Sequence, residues 1–196
     1  VLNMNIDYGL EAASDKLSKL KAGALFMRMG ARKTKMALDL IKNKQDDFDT
    51  VVWIAPASFL GWDGYTKAID ENLEGLTKEI CFFSIESISC SDIRYLQLYA
   101  LAERYRVFCV VDESITIKNT EAGRTKRLLL MRNMFDYRLI LSSLPLTQGL
   151  VDLYSQIEFM HPSVLNMSET QFLNTYLSPY DDGTTPVSYT HLRAHE

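Results

Sequence analysis

The chain predicts an α/β fold, a mostly parallel central sheet with helices on both faces. Three observations predict it. Five short apolar, β-rich runs recur; longer segments with helical spacing separate them; and polar loops follow the first, fourth and fifth runs. Parallel strands covered on both faces read as continuous apolar stretches, and crossover helices must join them.

The five runs occupy residues 24–27, 51–55, 80–83, 107–111 and 138–141. Each is a candidate buried strand. Helical spacing of apolar residues predicts helices over 33–42, 58–73, 93–104 and 122–134. A helix near 10–20 precedes the first strand, and helices near 150–160 and 169–177 follow the last. In open sheets of this kind ligands collect beyond the carboxyl ends of the strands, where loops meet helix N-termini. The loops at 30–34, 112–113 and 142–147 therefore converge on one edge.

A chain of 196 residues that is 47% hydrophobic suits a single domain with a sizeable core. Its formal charge of −4 leaves no overall electrostatic footprint for nucleic acid, so any such contact is local. Cys81, Cys90 and Cys109 are odd in number, and Cys81 and Cys109 lie in apolar runs. That pattern predicts reduced, packing cysteines in the cytoplasm, with neither a disulfide framework nor a zinc site. No apolar run approaches the roughly 18 residues that span a bilayer, and no membrane partner is expected. The chain opens on Val1 without a signal-peptide pattern, and residues 187–196 resemble a translated cloning scar. A single lobe over 1–180, truncated at both ends, and a non-native tail over 187–196 are the expected organisation. His191 and His195 stand at the i, i+4 spacing of a metal pair within that tail, with no third ligand, and no metal is expected there.

Met29, Gly30, Ala31, Arg32, Lys33 and Thr34 open the helix predicted over 33–42. A glycine turn before Lys-Thr at a helix N-terminus offers N–H groups and an ammonium to phosphates and a hydroxyl to Mg2+. The strict phosphate-loop pattern has glycine where this chain carries Met27 and Arg32, so Arg32 needs an unusual backbone conformation or a wider loop. The fourth strand ends in Asp112-Glu113, which suits a division of labour: Asp112 orders the metal and Glu113 polarises the attacking water.

The ordered series of motifs resembles the Swi/Snf-type branch of helicase superfamily two over roughly 20–162. Met29 to Thr34 is similar to motif I; Ala55-Pro56-Ala57-Ser58 with Trp62 is similar to motif Ia; and Ser84-Ile85-Glu86 resembles the serine-tyrosine-glutamate segment. Asp112-Glu113-Ser114-Ile115, running on to Ile117-Lys118-Asn119, resembles the DEAH box, and residues 141–149 resemble motif III. Asp152-Leu153-Tyr154-Ser155-Gln156 continues as the family does.

The resemblance implies an N-terminal RecA-like P-loop NTPase lobe that uses ATP and Mg2+. It implies Lys33 and Glu113 as catalytic residues, 29–34 as the nucleotide cradle, and Thr34 and Asp112 as metal-holding residues. Ser58 and Ser84 would contact nucleic acid, DNA in preference to RNA. Ser142, Ser143 and Leu144 would couple nucleotide state to grip. The activity implied is that of an ATP-dependent helicase or translocase, with arginine fingers on a second RecA-like lobe, so the lobe alone is expected to be nearly inactive. A bacterial or phage-infected cell is the expected setting. Arg32, Ile115 in place of the box histidine, and Ser143 and Leu144 in place of glycine and threonine depart from the pattern. They leave open a degenerate nucleotide-sensing or protein-interaction scaffold. A small-molecule kinase is a further alternative, though the segment after Leu141 does not resemble an acceptor lid.

Elsewhere Trp53 and Trp62 are expected to pack in the core or an interface. Arg124, Lys126, Arg127 and Arg132 are expected to form a solvated basic face, and His161 to be a structural loop residue.

Overall fold

A computed structural model of the protein describes residues 15–176. The expectations for the start of the helix near 10–20, the last residue of the final helix, the tail, His191 and His195 lie outside the described residues. Residues 15–18 form a helical turn before the first strand.

All five strands run parallel: β1 (Ala22–Phe26), β2 (Thr50–Ala55), β3 (Ile80–Ser84), β4 (Val107–Val111) and β5 (Tyr137–Ser142). Their spatial order is β1-β5-β4-β2-β3. Thus β5 lies between β1 and β4, and the loops after all three adjoin at the carboxyl edge. Every residue of β2, β4 and β5 is buried, as expected of strands covered on both faces. Alternate side chains serve two cores. Val51, Trp53, Val110, Leu139 and Leu141 pack under the Lys33–Asn43 and Asp63–Asp70 helices. Val52, Ile54, Cys109, Val111 and Ile140 pack with Ile88, Leu98, Leu128 and Phe159 from helices on the other face. Full burial of one such aliphatic or aromatic side chain contributes about 1.5–3 kcal/mol.

Several element boundaries differ from the sequence expectation. The helix predicted over 58–73 is two helices, Ala57–Leu60 and Asp63–Asp70. Trp62 is extended between them (φ −102°, ψ 115°), and Asp63 opens the second helix where its charge suits the dipole. A helix at Ile85–Cys90 was not expected. Ser84 caps it by accepting from the Ser87 N–H, and Ser91 caps the following Asp92–Arg104 helix by accepting from the Arg94 N–H. The helix expected over 122–134 runs Gly123–Met131 and tightens into a 3-10 turn at Arg132–Met134, while a 3-10 turn at Leu150–Asp152 precedes the Leu153–Met160 helix.

The basic residues do not form the expected solvated face. Arg124 Nε donates to the Thr116 carbonyl, Arg127 donates to the Ile88 carbonyl and lies over the Tyr95 ring, and Arg132 pairs with Glu158. Lys126, paired with Glu121, is the exposed member. Arg124 and Arg127 thus join their helix to its neighbours through main-chain acceptors that no sequence pattern reveals. Trp53 packs in the core as expected and is fully buried, whereas Trp62 is not a core residue and is 65% exposed. His161 is structural, its Nδ1 bonding Ser163 at the start of the Pro162–Leu165 helix. Cys109 is buried, Cys81 half-buried and Cys90 exposed, all as free thiols. Among the described residues no helix is long and apolar enough to cross a membrane.

At the opposite, amino edge of the sheet, Asp49 accepts from the Arg106 N–H (2.9 Å) and from its guanidinium (2.8 Å). Asp136 accepts from the Val107 N–H (3.0 Å), and the Tyr137 hydroxyl donates to Asp47 (3.2 Å).

Candidate nucleotide site

Pairing of β1 with β5 extends one step past the strand, where the Met27 N–H donates to the Ser142 carbonyl (3.1 Å). The chain then turns through Gly30 (φ 78°) to Arg32, which sits in the left-handed region (φ 58°, ψ 33°) as the N-cap of the Lys33–Asn43 helix. Arg32 therefore adopts the backbone that glycine usually supplies, at a cost on the order of 1–2 kcal/mol. The first helical bond runs from the Met36 N–H to the Arg32 carbonyl (3.0 Å). The N–H groups of Lys33, Thr34 and Lys35 precede it and have no acceptor within the helix, so this end is built to receive an anion. Lys33 Nζ curls back to the carbonyls of Met27 (3.0 Å) and Arg28 (3.3 Å). Met29 projects its side chain outward, 87% exposed, and leaves only its backbone to the cradle. The Ala31 N–H closes the turn on the Arg28 carbonyl.

Asp112 follows β4, and its N–H still pairs with β2 at the Ile54 carbonyl (2.8 Å). Its side chain is 5% exposed, which raises its pKa through loss of hydration. Hydrogen bonds from the Tyr65 hydroxyl to Oδ2 and from the Glu113 N–H to Oδ1 oppose that rise, as does the nearby Lys33 charge. Glu113 also has a left-handed backbone (φ 55°, ψ 57°), and its two carboxylate oxygens accept from Ser142 Oγ and Ser143 Oγ, each at 3.3 Å. Backbone strain of this kind concentrates at functional sites.

The loop after β5 is held from beneath. Asp152, 2% exposed, accepts from the Thr147 N–H (2.6 Å), the Thr147 hydroxyl (2.8 Å) and the Gln148 N–H (2.7 Å). Lys118 Nζ donates to Thr147 Oγ1 (3.1 Å), so the chain after the acidic pair joins the same cluster. Gln156, one helical turn from Asp152, accepts from Ser114 Oγ (2.7 Å) and donates to the Pro145 carbonyl (2.9 Å). Leu144 is 58% exposed and joins the loop only through its N–H, bonded to Ser142 Oγ (3.2 Å). The side-chain contacts to Glu113 thus come from Ser142 and Ser143, not from the position where the family pattern has threonine.

Ser58, which follows β2, and Ser84, the last residue of β3, lie apart from this cluster. Ser58 is exposed on the Ala57–Leu60 helix, whereas the Ser84 oxygen is engaged as a helix cap. Glu86 Oε2 accepts from the Ala57 N–H (2.8 Å) and joins the two loops. Asp152 and Gln156 were read from the sequence without a role; their i, i+4 spacing places both on one helix face, a signal that a packed polar pair shares with any surface pair. Tyr65 was missed altogether, since a tyrosine among apolar helix positions reads as core.

The family model for the SNF2-related domain matches residues 76–193. The "TATA-binding protein-associated factor mot1" of Aspergillus fumigatus and that of Schizosaccharomyces pombe are each 35% identical over 72 residues, covering 37% of this chain and 4% of theirs. The solved Sulfolobus solfataricus SWI2/SNF2 ATPase core in complex with dsDNA superposes with a TM-score of 0.67 at 18% identity, over 92% of this chain and 40% of that one. A second structure of that ATPase core domain gives 0.62 at 20% identity, over 92% and 38%. The fold is therefore the RecA-like arrangement of that core, and this chain spans well under half the length of each of these relatives. The expected bacterial or phage-infected cytoplasm is overturned, because the named sequence relatives are fungal proteins associated with TATA-binding protein.

Proposed function

Because the chain belongs to the SNF2-related domain family, we propose that it is the ATP-binding lobe of a motor that couples ATP hydrolysis to movement on DNA. The observation that carries this reading is the meeting of Lys33, Asp112 and Glu113 beside an anion-receptive helix end, with Ser142 and Ser143 on Glu113. An ammonium, unpaired N–H groups, the Thr34 hydroxyl and a buried carboxylate are the donor set that a magnesium-bound triphosphate requires.

In this reading Lys33 leaves the Met27 and Arg28 carbonyls to hold the β and γ phosphates, and the N–H groups from Lys33 onward hold the phosphate oxygens. Thr34 and Asp112 would hold Mg2+, which would supply charge neutralisation at the phosphates. Glu113, oriented by two serine hydroxyls, takes the proton of the attacking water. Burial of Asp112 strengthens its attraction for a cation, because fewer waters screen it. Ser58 and the exposed Trp62 offer the DNA-facing surface; the Sulfolobus core was solved with dsDNA. A second RecA-like lobe completes the site with arginine fingers, which are worth about 10³ to 10⁵ in rate.

Calorimetry with Mg-ATP and DNA-stimulated hydrolysis, measured on the complete protein with and without Lys33→Ala, test the proposal. The expected result is DNA-stimulated hydrolysis in the parent and a loss of about 100-fold or more in the variant. Arg32, Ile115 and Leu144 favour one rival, a nucleotide-sensing scaffold. Nucleotide binding that DNA does not convert into turnover would establish that rival in place of the motor.

A further inference from the structure

Tyr65 reaches the site from outside the three loops that the sequence marks. It lies on the Asp63–Asp70 helix, 47 residues from Asp112, and its hydroxyl donates to Asp112 Oδ2. The direction of that bond is fixed by a third residue. Trp53 Nε1 donates to the Tyr65 oxygen (2.8 Å), and an indole N–H has no acceptor capacity, so the single phenol proton is left for the carboxylate. Trp53 is fully buried in β2, opposite Val110 of β4, so the two strands hold the donor and the carboxylate in fixed register.

The other side of the tyrosine faces the DNA-side segment. The Phe59 ring lies 5.3 Å from the Tyr65 ring, and Phe59 follows the exposed Ser58 on the Ala57–Leu60 helix. Glu86 anchors the start of that helix through the Ala57 N–H. Trp62, exposed and extended, connects the two helices as the N-cap of the second. A packed path therefore runs from Ser58 through Phe59 and Tyr65 to Asp112, independent of the loop that carries Leu144.

We propose that Tyr65 is a positioning residue for the metal-holding carboxylate, and that it links displacement of the 57–70 segment to the orientation of Asp112. A contact on Ser58 or Trp62 then changes how Asp112 presents its free lone pairs to a divalent cation. The inference rests on the reading of Asp112 as a metal-holding residue. Partners that orient a metal ligand from behind typically contribute 10- to 100-fold to metal affinity.

The test is Mn2+ binding followed by electron paramagnetic resonance on the complete protein in the presence of ADP, for the parent and Tyr65→Phe. The expected result is Mn2+ binding weakened about 10-fold in the variant. Hydrolysis should fall at low Mg2+ and recover toward the parental kcat at high Mg2+, a split that general loosening of the core would not produce. A folded Tyr65→Phe protein whose Mn2+ affinity lies within about twofold of the parent overturns the proposal, since a ligand-orienting partner is worth more than that. Phe59→Leu keeps the bond to Asp112 and carries the test if Tyr65→Phe does not fold. Duplex DNA should change Mn2+ affinity in the parent, and that response should shrink about threefold or more in Phe59→Leu; an equal response overturns the link. A parent that binds no Mn2+ with ADP sinks the ATP-site reading itself, whereas parental binding with an unaltered variant sinks only the role of Tyr65.

Discussion

The two edges of the sheet use the same kinds of residue under opposite conditions. At the amino edge Asp49 and Arg106 join the starts of β2 and β4 with side chains 39% and 55% exposed, and the guanidinium draws the Asp49 carboxyl down to about 2. At the carboxyl edge Asp112 is buried and its pKa is pushed up, while Arg32 and Glu113 hold left-handed backbones. Asp49 stays hydrated and paired, whereas Asp112 is desolvated beside a backbone that turns left-handed at Glu113. Two of the left-handed non-glycine backbones among the described residues, Arg32 and Glu113, lie at the carboxyl edge, where such strain is expected if the edge is functional.

The largest expected effect comes from Asp152, the buried support of the carboxyl-edge loop. Removing this buried carboxylate takes away the acceptor of two N–H groups and a hydroxyl. Asp152→Ala is expected to cost about 3 kcal/mol in urea unfolding, in the range seen when one partner of a buried pair is lost. Conservative replacement by Asn should recover part of that loss. A cost as small as that of an exposed surface substitution would erase the contrast between the edges.

A smaller effect, of opposite sign, is expected at Arg32. Its side chain is exposed and provides no cap, while its backbone lies where glycine is favoured. Arg32→Gly removes the left-handed penalty but adds chain entropy to the unfolded state, leaving a gain of about 0.5–1 kcal/mol in the same unfolding measurement. Unchanged or lower stability would mean that the guanidinium makes a compensating contribution, and the strain assigned to this edge would need to be revised.

Legibility followed the range of the interactions. β2 and β4 were readable because a strand buried on both faces must be apolar throughout, and the Lys-Thr and Asp-Glu pairs because short-range chemistry sits within a few residues. The break at Trp62 was not readable, since the apolar spacing continues on both sides of it. The Ile85–Cys90 helix escaped because its serine caps look like loop residues. Tyr65 and the inward roles of Arg124 and Arg127 depend on partners 47, 8 and 39 residues away, two of them main-chain carbonyls that carry no residue-specific signal. The cellular setting was misjudged because it rested on the range of the resembled family, and shared motif chemistry does not report lineage.

The smallest expected effect is at the amino edge, and pH gives its sign. Asp49 titrates at about 2 in the folded chain, below its ordinary 3.8, because the Arg106 hydrogen bonds and charge favour the carboxylate. The unfolded chain therefore binds a proton at higher pH than the folded one, so this pair stabilises the fold above pH 3.8 and loses its contribution as pH falls toward 2. Asp49→Asn should melt slightly below the parent at neutral pH, and the two melting curves should converge across that acid window. Both side chains are open to solvent, so added salt should narrow the gap as well. Asp112 carries the opposite sign: its raised pKa means that protonation relieves the cost of burying the charge, so its contribution to stability grows as pH falls. If the gap between parent and Asp49→Asn persisted below pH 2, or ignored salt, the amino-edge pair would be acting through packing, and hydration would no longer separate one edge from the other.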